Sequence, residues 1–287
     1  MTKLVKADPE TTLNRLRKML DVEPYHAQPS TGMQYGLESK YVTWRFDPRK
    51  FDTIELLHIT DVQFGHVECR VHRVKEYIQW VLKEPNRFVL FGGDMIDAGH
   101  IFSPGQPWEQ ICEPQGQVYR FCEMFAPLRP RILGYVGGNH ERRTIKTFGD
   151  SGLLIASLLQ VPYSGGKQFV DIHFGKHQPF KVSLWHGGGA ARTAGAKMMM
   201  LDRWMQEGDS QLYLVGHLHD ALTKFKWRVE RKSGHNDIHM QKVAGAMSSS
   251  FLSHFGTYAE VAGMSPSDIL MARCVLDPTG KWELTLR

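Results

Sequence analysis

From Ile54 onward the chain carries short apolar runs that recur at intervals, each followed by polar or glycine-rich punctuation. The runs are IELLHIT (54–60), RFVLFGG (87–93), RILGYVGG (131–138), KVSLWHGGG (181–189) and LYLVGHLHD (212–220). Between them, apolar residues fall at helical spacing near residues 70–83, 117–126, 150–160 and 195–207. Short buried strands that alternate with helices predict an α/β fold around a central sheet. Farther on, KFKWRVERK, DILMARCVLD and KWELTLR alternate with a period of two, which suits a second sheet or a sheet edge. Before residue 51 the pattern differs. ETTLNRLRKML after Asp8-Pro9 predicts a short helix, YHAQPSTGMQYG a loop and YVTWRF a strand. The expected organisation is an N-terminal extension over residues 1–50 and one domain over 51–287.

Composition changes this picture little. A hydrophobic fraction of 42% and a charged fraction of 23% are ordinary for a globular protein, and 287 residues suffice for a sizeable core. The four cysteines (Cys69, Cys112, Cys122, Cys274) lack Cys-x-x-Cys spacing, so neither a zinc knuckle nor a disulfide framework is signalled. Reduced thiols and a cytoplasmic location are the expectation. No apolar run approaches the ~18 residues of a membrane span. The opening residues lack the apolar middle of a signal peptide, so no membrane partner is expected. A net charge of +5 suits an anionic substrate.

The chemistry lies at the ends of the apolar runs. In order they are Asp61-Val62-Gln63, then Gly93-Asp94-Met95-Ile96-Asp97, then Gly138-Asn139-His140-Glu141. His186-Gly187 and Gly216-His217-Leu218-His219 complete the series. In open α/β sheets functional groups gather at the carboxyl ends of strands, so these side chains are candidates for one site. Mixed Asp, Asn and His donors suit Mn, Fe or Zn better than the all-oxygen cage that calcium prefers. There are too many donors for one tetrahedral ion and about the right number for two adjacent ions.

This ordered set resembles the calcineurin-like metallophosphoesterase superfamily, whose pattern is D-x-H, G-D-x-x-D, G-N-H-[ED], H and G-H-x-H. The resemblance spans roughly Ile54 to Asp220. It implies a four-layer α/β/β/α sandwich with two mixed β-sheets, and a phosphodiesterase or phosphatase with two divalent metal ions, Mn before Mg, Fe or Zn. By resemblance, Asp61, Gln63, Asp94 and His219 hold the first metal, and Asp94 bridges to a second held by Asn139, His186 and His217. His140 then sits beside the scissile phosphate as the catalytic residue, a general acid or charge stabiliser, and Asp97 orients the site from behind. Hydroxide formed between ions ~3.5–4 Å apart attacks phosphorus in line.

One position departs from the pattern: Gln63 stands where the family usually has His. Its carbonyl oxygen is a harder and weaker donor than imidazole, so the first site is expected to favour Mn or Mg over Zn. Two alternatives stand beside direct ligation: Gln63 binding through water, or His66 or His58 in its place.

Other residues read less sharply. Arg142 and Arg143 follow the Gly-Asn-His-Glu motif and are candidates to bind a substrate phosphate, with surface ion pairs as the competing reading. Asn139 also lies close enough in the motif to touch substrate. Trp108 sits in a long insertion and reads as a packing residue, with stacking or lid duty as the alternative. Met198-Met199-Met200 reads as core filling beneath a helix. The run KFKWRVERK interleaves basic and aromatic residues, as a nucleic-acid backbone would require, although an exposed strand face explains it as well.

Three functional readings follow. The leading one is metal-dependent hydrolysis of a small phosphodiester or phosphomonoester. A nuclease of the same superfamily, acting on nucleic acid, is the second. The third is a non-catalytic interaction scaffold with this fold, which the single altered ligand disfavours. Ile96 lacks the metal-binding hydroxyl that a purple acid phosphatase requires.

Overall fold

A computed structural model describes residues 39–287 apart from 102, 104–105, 148, 176–177 and 232–237. The helix expected after Asp8-Pro9 and the loop after it lie outside the described residues.

Strands β1 (Tyr41–Phe46), β6 (Lys167–Phe174), β7 (Phe180–Trp185), β8 (Leu212–Val215), β10 (Ile238–Met247) and β9 (Leu222–Arg231) form the first sheet in that order. The second sheet runs β12 (Trp282–Leu286), β11 (Ala272–Leu276), β2 (Ile54–Ile59), β3 (Arg87–Phe91), β4 (Ile132–Val136), β5 (Tyr163–Ser164). Both are six-stranded and mixed. In the second, β2 to β5 are parallel and β11 and β12 antiparallel; in the first, β7, β8 and β10 are parallel. The strand YVTWRF, which the sequence places in the extension, pairs in parallel with β6 at the edge of the first sheet.

The helices are α1 (Val71–Lys83), α2 (Pro114–Phe125), α3 (Asn139–Arg143), α4 (Ser151–Leu159), α5 (Ala194–Trp204) and α6 (Tyr258–Val261). Successive side chains of a strand face opposite ways, and both faces of these sheets are covered, which explains why the apolar runs are nearly continuous. Leu56, Phe88, Leu90 and Leu133 meet Val170, Val182 and Leu214 between the sheets. Leu57, Val89, Phe91 and Tyr135 face outward, against Val74, Ile78, Phe121 and Ile155 of α1, α2 and α4. On the far side Leu201 and Trp204 of α5 cover Tyr213, Val215 and Val243. The result is the expected α/β/β/α stack.

Two readings of particular side chains need correction. Trp108 is 77% exposed and packs no core. It lies in a short 3-10 turn, Pro107–Glu109, held at the surface by a hydrogen bond from the Gln106 amide to the Glu109 carboxylate. Of the three methionines, Met198 and Met200 pack under α5, but Met199 lies on the outer face of the helix and is exposed. On β9 the run has the exposed strand face, and the side chains on that face are the apolar ones. Phe225, Trp227 and Val229 point to solvent, while Lys224 and Lys226 turn back to Asp202 and Arg228 donates to the carbonyls of Met205 and Ser210. Strand alternation fixes which residues share a face, but the position of Asp202 on α5 decides which face is inward.

Candidate active site

Each predicted group sits just past the carboxyl end of a parallel strand. Asp61 follows β2, Asp94 follows β3 and Asn139 follows β4; His186 follows β7 and His217 follows β8. The two sheets present these ends along one rim, and a third strand of the first sheet, β10, adds Ser248–Ser250 to it. Ser250 Oγ and the Phe251 amide both donate to the Asp61 carbonyl, at 2.9 and 3.0 Å.

The backbone bends sharply there. Asp61, Gln63, Asp94, His217 and His219 all have φ between 48° and 70°, the left-handed region that non-glycine residues rarely occupy. Each such residue costs about 1–3 kcal/mol, which the surrounding packing must offset. Concentration of this strain at the rim marks a functional site by itself. Gly138 allows the rim to close, because a side chain there would run into the Asp94 carboxylate and amide.

The side chains converge. Asp94, His186 and His217 bring one donor atom each within 4.8 Å of one another. Asp94 Oδ2 lies 3.2 Å from His186 Nε2 and 3.5 Å from His140 Nε2. Asn139 Oδ1 stands 3.1 Å from the same His186 nitrogen. On the other side His219 Nε2 is 3.3 Å from Asp61 Oδ1 and 3.1 Å from Gln63 Nε2. Asp61 Oδ1 and Gln63 Oε1 are buried without a hydrogen-bond partner. A buried oxygen left unpaired is costly, and a cation beside Asp61 Oδ1 and His219 Nε2 would satisfy it.

Ring orientation agrees with that donor set. His186 Nδ1 donates to the Gly92 carbonyl at 2.8 Å, which makes Nε2 the nitrogen that faces Asp94. His217 Nε2 donates to the Gly189 carbonyl at 2.9 Å, which leaves Nδ1 available. Imidazoles tied to carbonyls in this way are pre-set as metal ligands. Asp61 Oδ2 is tied down by the Thr60 hydroxyl at 2.6 Å and the His217 amide at 2.9 Å, so its other oxygen is the available one.

The charges tell the same story. Burial would raise the Asp94 carboxyl, but His140 and His186 hold it far below the usual range. Asp61 is also held low against the effect of burial, by His219 and His186. Burial would strip the proton from His186, yet Asp94 and Asp61 keep it on up to about 10. Two buried carboxylates thus create a field that calls for positive charge in the cleft.

His140 lies against Asp97, its Nδ1 2.7 Å from the Asp97 carbonyl and 3.1 Å from Asp97 Oδ1. Burial lowers its affinity for a proton, but Asp94 and Asp97 outweigh that and the Arg143 guanidinium, and the net shift is upward. Arg143 packs on this ring, its Nη2 2.9 Å from His140 Nε2. Arg142 goes elsewhere, donating to the Gly165 carbonyl from an exposed position. His66 accepts the Glu68 amide and faces Glu109, and His58 bonds Ser248; the structure brings neither to His219.

Four participants escaped the sequence reading. Glu141 accepts the Asp94, Met95 and Gly138 amides and joins the loops after β3 and β4. Its place in the Gly-Asn-His-Glu motif was the available signal. Gln110, in the long insertion, donates to Asp97 Oδ2 at 2.7 Å and ties that insertion to the site. Ser250 supports the Asp61 loop. Tyr258, on α6, places its hydroxyl 2.5 Å from Gln63 Nε2 and 3.5 Å from His219 Nε2. Burial, then Asp94 and Asp97, keep that hydroxyl protonated well above the ordinary tyrosine range. No local pattern announces Gln110, Ser250 or Tyr258, since each reaches the site through tertiary contacts.

Among the described residues, no helix is long and apolar enough to cross a membrane. No curated protein matches the chain. Among solved structures, a conserved uncharacterised protein of Streptococcus pneumoniae, a predicted phosphoesterase, is 14% identical with a TM-score of 0.36, over 83% of this chain and 99% of that one. The NAD nucleotidase of Haemophilus influenzae is 13% identical with a TM-score of 0.39, over 81% of this chain and 49% of that one. A serine/threonine phosphatase of Saccharomyces cerevisiae is 14% identical with a TM-score of 0.40, over 96% and 89%. Likenesses this distant carry no functional weight. The sequence profile of the calcineurin-like phosphoesterases is a different matter, because it matches residues 54–221, more than half of the chain, including the strand ends that carry Asp61, Asp94, Asn139, His186 and His217. With its rim of Asp and His donors, the chain belongs to the calcineurin-like phosphoesterase family, metal-dependent hydrolases of phosphoester bonds.

Proposed function

We propose that this protein hydrolyses a small phosphodiester or phosphomonoester at a centre for two divalent cations. Asp61, Gln63, Asp94 and His219 would hold one, and Asp94, Asn139, His186 and His217 the other. The observation that carries this reading is the convergence of Asp94, His186 and His217 donors within 4.8 Å, beside the buried, unpaired Asp61 Oδ1 and Gln63 Oε1. The mixture of carboxylate, amide and imidazole fits Mn or Mg at the Gln63 side, where an amide oxygen replaces a nitrogen donor. Cations bound there supply charge to phosphate oxygens and lower the pKa of water.

The chain's own groups do the rest. Asp94, reachable from both sides of the rim, joins the two halves of the centre. His140, backed by Asp97 and turned with Nε2 toward Asp94, delivers its proton to the departing alcohol oxygen. Arg143, already on the edge of that ring, offers a guanidinium to a phosphate oxygen. Arg142, turned to the Gly165 carbonyl, plays no part in this arrangement. Lys224 and Lys226 of the β9 run are engaged with Asp202 and Arg228 with backbone carbonyls, which favours a small substrate over a nucleic-acid strand.

The test is hydrolysis of bis-p-nitrophenyl phosphate and of the matching monoester by chelated protein resupplied with Mn²⁺, beside an Asp94→Ala control. Turnover that needs Mn²⁺ and disappears in the variant is the expected result. Failure of both esters with every divalent ion tried would overturn the reading and leave a non-catalytic scaffold.

A further inference from the structure

The departure at Gln63 has a structural counterpart in Tyr258. Gln63 Nε2 lies between two groups, 3.1 Å from His219 Nε2 and 2.5 Å from the Tyr258 hydroxyl oxygen. The other end of the amide, Oε1, is buried with no hydrogen-bond partner. Among the described residues, Tyr258 and His219 are the only hydrogen-bond partners of the Gln63 side chain. Tyr258 is itself anchored. It opens α6, whose cap residue Thr257 donates to the carbonyls of Ser253 and His254, both at 2.9 Å. Its ring lies 6.1 Å from that of His219 and 6.2 Å from that of His140.

We propose that Tyr258 is the positioning residue that lets Gln63 serve the cation site where the family usually has histidine. This inference rests on the two-cation reading above. Donor atoms that share one ion at bonds of about 2.0–2.2 Å stand roughly 3–3.5 Å apart. The terminal amide atom held by Tyr258 is at that distance from His219 Nε2. In the arrangement seen, that atom is nitrogen, which cannot donate to a cation. A half-turn of the amide exchanges Oε1 for Nε2 at the same place. A hydroxyl both accepts and donates, so Tyr258 holds the amide in either state: it accepts from Nε2 now and donates to Oε1 after the turn. An imidazole in this place would face the cation with a ring nitrogen that makes no bond to the Tyr258 hydroxyl, whereas the amide is held by that hydroxyl. Tyr258 thus acts through Gln63 and touches no reacting atom.

The experiment measures Mn²⁺ binding to the full chain, after chelation, by calorimetry and equilibrium dialysis. It compares the wild type with Tyr258→Phe, Gln63→Ala, Gln63→His and the Gln63→His/Tyr258→Phe pair. The wild type is expected to bind two ions per chain. Tyr258→Phe, which keeps the ring and loses only the hydroxyl, should weaken one binding step by about 10–100-fold and leave the other unchanged. Gln63→Ala should weaken the same step, which keeps the test decisive if Tyr258→Phe fails to fold. In the Gln63→His background, removal of the hydroxyl should change that step by about twofold or less. Wild-type affinities at both steps in Tyr258→Phe, or in Gln63→Ala, would overturn the inference and leave the hydrolytic reading standing. Equal weakening of both steps, or the same loss in the Gln63→His background, would mean a packing role and overturn it too. A wild type that takes up no ion would overturn inference and reading together.

Discussion

The Glu141 carboxylate lies beneath the loop that carries Asp94, accepting the Asp94 amide at 2.9 Å and the Met95 amide at 2.7 Å. It also accepts the Gly138 amide at 2.8 Å and the Tyr135 hydroxyl at 3.0 Å. One buried side chain therefore sets the spacing between the loops after β3 and β4, which carry Asp94 and Asn139. Glutamine at this position would turn an NH2 group toward an N–H donor. Glu141→Gln is expected to lower the unfolding free energy by about 1.5–3 kcal/mol, the worth of a charge-assisted hydrogen bond. Urea denaturation reads this directly, and an unchanged midpoint would remove Glu141 from its supporting role.

Gly138 and Asp94 are in contact through space the glycine leaves open. A methyl group at residue 138 would come within 2.8 Å of Asp94 Cγ and nearer still to its amide. Gly138→Ala must displace the carboxylate, and a misplacement of about 1 Å in such a site costs on the order of 100-fold in rate. The expected outcome is that loss of hydrolysis with a smaller loss of thermal stability. Full activity in the alanine variant would show that the rim tolerates movement.

His140 makes a prediction that depends on the substrate. If its proton goes to the departing oxygen, His140→Ala should lower kcat by about 10²–10⁴ for an alkyl phosphoester, whose alcohol leaves poorly. The loss should be much smaller for a p-nitrophenyl ester, whose leaving group needs little protonation. Equal losses on both substrates would assign the imidazole to charge stabilisation instead.

Trp227, 62% exposed on β9, stands with Phe225, Val229, Ile238 and Met240 in an apolar face of the β9–β10 hairpin. The face contains none of the site's residues. Trp227→Lys should change stability by about 0.5 kcal/mol or less, as surface substitutions do. Hydrolysis should be unaffected. Static light scattering should show less self-association at high concentration, because a lysine on an exposed β edge opposes pairing. An equal or greater tendency to associate would show that this face is not sticky.

The legibility of the molecule varies from residue to residue, for physical reasons. The helices over 71–83, 114–125, 151–159 and 194–204 lie where the spacing predicts them, because a half-buried helix must repeat its apolar face. Strands such as β2, with all six residues buried, show as continuous apolar runs because both sheet faces are covered. Trp108 was read with the wrong environment. On β9 alternation tells which residues share a face and says nothing of what packs there: the exposed face is the apolar one, and Lys224 and Lys226 turn to Asp202. The extension was drawn to residue 50, but YVTWRF within it pairs with β6, more than a hundred residues away, and no local pattern encodes that pairing.

The sequence by itself determined the alternation of strands and helices around β2, β3, β4, β7 and β8 and, through five strand-end motifs, the candidate donors Asp61, Asp94, Asn139, His186, His217 and His219. It could do so because these groups follow directly on strands whose apolar character is unmistakable, and because their backbone must turn at once. Tertiary structure alone decided the rest: that Glu141 supports Asp94, that Arg143 meets His140 while Arg142 turns away, and that Gln110 reaches Asp97. It alone brought Tyr258 to Gln63, 195 positions earlier in the chain. A motif records only residues that are neighbours along the chain, whereas the contacts of Glu141, Gln110 and Tyr258 join separate loops that meet only when the chain folds and closes them over one rim.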